Sequence, residues 1–175
     1  QNVTDPRLGP RALDLMAGAA TTRYTLDGVK FTRELGVSKP DEVMALRLAC
    51  DKPGALFLTA ALSRKQDAAF RAEGNVQRME GRLPFHKPGG GGKGMSYVAL
   101  LGGGVKGGRL SATAKGLAVE GADEATFIVS AGTDWIHPEF EGVARRRLDA
   151  AMGKSFEAIR DGAAVGLRNV MHWAG

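Results

Sequence analysis

Asp134, Trp135, His137, Glu139 and Glu141 are the residues of this 175-residue chain whose types and spacing come nearest to chemistry. Hydrolysis of a glycosidic bond needs two carboxyl groups facing a sugar across a cleft, and Asp134 with Glu139 or Glu141 would supply them. Spacing alone selects no pair among the three. The segment reads better as a polar strand-to-helix connection, so no catalytic residue is assigned. Trp135 beside His137 could stack on a sugar ring or pin a helix to a sheet. These two are the candidate carbohydrate-binding residues.

Other motifs offer less. Gly89-Gly90-Gly91-Gly92-Lys93-Gly94 resembles a phosphate loop, but Lys87 and Gly94 stand where that motif needs a glycine and a hydroxyl residue. Gly102, Gly104 and Gly107 fit a dinucleotide fingerprint as a string, yet a short strand follows them instead of a helix, so the stretch reads as a turn. His86, His137 and His172 lie far apart, and no second Cys or paired His supports a metal site or a cofactor. Cys50 is the one cysteine; its place on an apolar strand face predicts a buried, inert thiol.

These residues must be held by something, and the composition says what kind. Hydrophobic residues make up 43% and charged residues 25%, the profile of a globular chain, while 25 glycines and 6% aromatics imply many turns and an aliphatic core. The net charge of +5 is scattered except at Arg145-Arg146-Arg147, so no nucleic-acid partner is expected. No apolar run is long enough to span a membrane, and no leader opens the chain. It starts at Gln1, which reads as a matured or excised piece and leaves a periplasmic or extracellular location as open as a cytoplasmic one. Asn2-Val3-Thr4 matches a glycosylation acceptor no better than chance.

Gln1–Pro10 reads as a loop and Arg11–Ala20 as a short strand. Asp27-Gly28 predicts a hairpin between Thr21–Leu26 and Val29–Val37. Glu42–Ser63 predicts a second hairpin turned at Asp51-Lys52-Pro53-Gly54, with Met44, Leu46, Leu48 and Cys50 on one apolar face. Further strands are expected at Val76–Leu83, Met95–Leu101, Arg109–Lys115 and Leu117–Glu120. Ala125–Ala131 is a nearly continuous apolar run, which predicts a strand buried on both faces. From Glu141, the spacing of Ala144, Leu148, Ala151, Met152, Phe156 and Ile159 predicts one amphipathic helix.

Taken in order, RALDLMAGAATTRYTLDGVKFTRELGVSKPDEVMALRLACDKPGALFLTAALSR, then Gly94-Met95-Ser96-Tyr97, LAVEGADEATFIVSAGTDW and RRRLDAAMGKSFEAIR resemble the amino-terminal β-sandwich of glycoside hydrolase family 95, the inverting α-L-fucosidases. The resemblance implies a mainly β chain: an antiparallel, supersandwich-like and incomplete β-sandwich over residues 1–138, followed by a helical linker and tail over 139–175. It also implies an (α/α)₆ catalytic barrel as partner, a fucosylated glycan as substrate, and catalytic residues that belong to the barrel. On this reading the chain alone is inactive and part of the layer that covers its strands lies outside it. A free-standing carbohydrate-binding module and a structural domain self-associating through the Ala144–Ile159 face are the alternatives.

Overall fold

The computed structural model describes residues 7–14, 18–85 and 92–162. Eleven strands, β1 (Arg7–Asp14), β2 (Ala19–Leu26), β3 (Val29–Ser38), β4 (Val43–Cys50), β5 (Leu56–Ala60), β6 (Ala69–Glu73), β7 (Val76–Phe85), β8 (Gly92–Lys106), β9 (Arg109–Thr113), β10 (Gly116–Ala122) and β11 (Glu124–Thr133), precede a helix α1 (Phe140–Met152). They form an eight-stranded sheet in the order β1-β2-β3-β4-β11-β8-β7-β6 and a three-stranded sheet in the order β5-β10-β9. All pairings are antiparallel among the described residues. The protein is thus the mainly β sandwich with a carboxy-terminal helix that its sequence predicts.

Three layers result, because the central strands of the large sheet are apolar on both sides. On one side Leu101, Ala125 and Phe127 pack against Leu56, Leu117, Val119 and Ala122 of the small sheet. On the other, Val43, Ala45, Val98, Leu100 and Ile128 receive Ala144, Leu148 and Ala151 of α1, together with Phe156 and Ile159. Successive strand residues point to opposite faces, so the apolar run Ala125–Ala131 feeds both cores.

Local signals explain several elements. The β2–β3 loop is the two-residue Asp27-Gly28 pair, with φ of 50° and 71°, the left-handed backbone a type I′ hairpin turn needs. Helix α1 follows Pro138, carries Glu141 in its first turn where the dipole favours a carboxylate, and stops at Gly153. Ser155 Oγ then accepts a bond from the Ala158 N–H at 3.2 Å, and a second helical segment runs over 156–162. The single helix expected from spacing is therefore two, broken by Gly-Lys-Ser.

Long-range packing corrects other expectations. Glu42–Ser63 is not a hairpin: β4 pairs with β3 and β11 in the large sheet, whereas β5 pairs with β10 in the small one. The Asp51–Gly54 turn is a corner between sheets. Nor is Gly102–Gly108 a turn throughout, since β8 continues to Lys106 and only Gly107 and Gly108 reverse the chain. A Cβ at Gly102 would lie 3.1–3.4 Å from Met152 and Leu148, and one at Gly103 3.0 Å from Phe127, so two layers press on this strand. Arg7–Pro10 joins β1 instead of a loop, and β6 arises from a stretch too polar to announce itself. Asn2, His86, Gly89–Gly91 and His172 lie outside the described residues.

Candidate functional site

Trp135 stands in the turn that links β11 to α1, with Ile136 and His137 beside it. The turn is local: the N–H groups of Ile136 and His137 both donate to Thr133 O at 3.2 Å, and Phe140 N–H to His137 O at 3.1 Å. Its base is fastened to the start of β8, where Asp134 N–H donates to Ser96 O at 3.1 Å and Asp134 Oδ1 accepts Ser96 N–H at 2.9 Å. Trp135 is 85% exposed and Ile136 70%, so the indole does not pin α1 to the sheet. It is an apolar, aromatic knob held on a rigid base.

The carboxylates near it are not arranged as a catalytic pair. Asp134 is committed to the Ser96 amide. Glu141 pairs with Arg78 of β7, which also meets Glu80 at 2.6 Å and Glu73 at 3.8 Å. Burial opposes the charge of Arg78, but its hydrogen bonds to Glu141 and Glu80 outweigh it and raise the guanidinium above its usual range. This buried arginine is structural, since it ties α1 to the large sheet. Among the described residues no group of three or more His, Cys, Asp or Glu side chains could hold a metal.

A second cluster, invisible to spacing arguments, surrounds Arg47 of β4. Its guanidinium lies 3.4 Å from Glu34 and 3.5 Å from Glu124, bonds Glu157, and sits 5.6 Å from the Phe156 ring centroid. Close by, Lys154 pairs with Asp41, whose hydrogen bonds from Lys154 and then Ser38 hold its carboxyl below the ordinary carboxylate range. Both contacts join the helix break to the sheet. They border a cleft of about 270 Å³ lined by Gly104, Thr126, Met152, Lys154, Phe156 and Glu157. Two of its lining residues, Glu157 and Lys154, are already engaged by Arg47 and Asp41, so the cleft reads as a seam between layers. Sequence reasoning missed this cluster because its members come from segments widely separated along the chain.

An antiparallel sandwich with a helix packed on one face defines the class, a β-sandwich domain. The chain belongs to the family whose model matches residues 10–137: "Glycosyl hydrolase family 65, N-terminal domain". This corrects the family-95 resemblance while keeping its coarser content, an amino-terminal, non-catalytic β-sandwich of a glycoside hydrolase. Among solved structures, "Putative kojibiose phosphorylase from human microbiome" superposes with a TM-score of 0.56 at 12% identity, covering 94% of this chain and 25% of that one. The chain thus spans a quarter of that relative's length, and at this identity the likeness shows the fold alone. No curated protein matches the chain.

Proposed function

We propose that this chain is the amino-terminal scaffold of a longer carbohydrate-active enzyme, buttressing a separate (α/α)₆ catalytic barrel to which its helices lead. The observation that carries the reading is the family match over residues 10–137, beside which Glu141 and Asp134 are bonded to Arg78 and to the Ser96 amide. In this division, residues 1–138 form the sandwich and 139–175 the helical connection. Trp135 and His137 would stand at the barrel-facing end of β11, where an exposed indole can meet a sugar or the barrel itself.

For the chemistry of the parent, the printed name of the structural relative supports one candidate, phosphorolysis of kojibiose, in which phosphate displaces glucose to leave glucose 1-phosphate. A fucoside preference, implied by the sequence resemblance, is the competing specificity. Incubating the parent enzyme with kojibiose and inorganic phosphate should release both products in equal amounts, and an aryl α-L-fucoside should be inert. Fucose release instead would transfer the specificity to the family-95 type. Turnover by residues 1–175 alone, once shown to be folded by near-ultraviolet circular dichroism, would overturn the scaffold reading.

A further inference from the structure

We draw no further inference here: the strongest candidate, the cleft beside the break between the two helical segments, belongs to the seam already described, and its charged lining residues are already paired, Lys106 with Glu124, Lys154 with Asp41 and Glu157 with Arg47.

Discussion

Asp123 holds Gly54 across the end of the sandwich: its Oδ1 accepts the Gly54 N–H at 2.6 Å. The same residue accepts from Cys50 N–H at 3.1 Å through its carbonyl and donates its own N–H to Lys106 O at 2.8 Å. These contacts gather the β4–β5, β8–β9 and β10–β11 corners, three of the four places where the chain crosses between sheets. A Cβ at Gly107 would lie 3.0 Å from the Asp123 carboxylate, which explains the small residue there. Asp123→Ala should lower stability by about 1 kcal/mol, the worth of one hydrogen bond at an accessible site. Asp123→Asn keeps the acceptor and should recover most of it. Urea midpoints of the two variants check this.

Gly81 should resist even alanine. A Cβ there would lie 1.8 Å from Asp67 O, a carbonyl already engaged by the Tyr97 hydroxyl at 2.7 Å, and Asp67 itself has a φ of 54°. Backbone must move to admit a methyl group, so Gly81→Ala is expected to cost about 1–3 kcal/mol or more. Gly74→Ala, where nothing lies within 4 Å, isolates the effect of positive φ and should cost about 1 kcal/mol. Thermal unfolding of the pair separates crowding from backbone strain.

Acid should loosen the helical layer. Asp41 is held below its ordinary range chiefly by the Lys154 hydrogen bond, and Glu157 chiefly by a bond from its own backbone, with Arg47 adding to it. A carboxylate with a depressed folded pKa contributes stability that is present above its unfolded value, near 4, and is lost as pH falls through the folded value. Both groups fasten the 154–157 segment to the sheet. Asp41→Asn with Glu157→Gln should therefore lower stability at neutral pH and flatten its loss below about pH 4. A wild-type curve parallel to that of the variant over this range would refute the assignment.

Trp135→Ala should leave folding unchanged, because the indole is almost wholly exposed. On the scaffold proposal, the same substitution in the parent enzyme should weaken either binding of the sugar substrate or contact with the catalytic domain. A raised KM at constant kcat, with His137→Ala acting in the same direction, marks the sugar contact. A lowered melting temperature with unchanged KM marks the domain contact. No change in either removes both residues from the site.

Local chemistry was legible in the sequence. Asp27-Gly28 specifies the β2–β3 hairpin because two adjacent residues tolerant of positive φ match the twist of the strands they join. The run Ala125–Ala131 announced a strand buried on both faces, and the spacing from Ala144 to Ile159 announced the helical face that covers it. What the tertiary structure alone decided was partnership. Alternation makes β4 and β5 strands but cannot say that a corner sends them to different sheets, since each strand's neighbour comes from far along the chain. The glycines of β8 read as a turn because glycine is common in turns; they are small here because α1 presses on Gly102 and Phe127 on Gly103. Trp135 and His137 were visible as types, yet only the fold made the indole an exposed knob. Side-chain type and period are properties of neighbours in sequence, whereas coverage, corners and ion pairs such as Arg47 with Glu157, 110 residues apart, are set by chain segments distant in sequence.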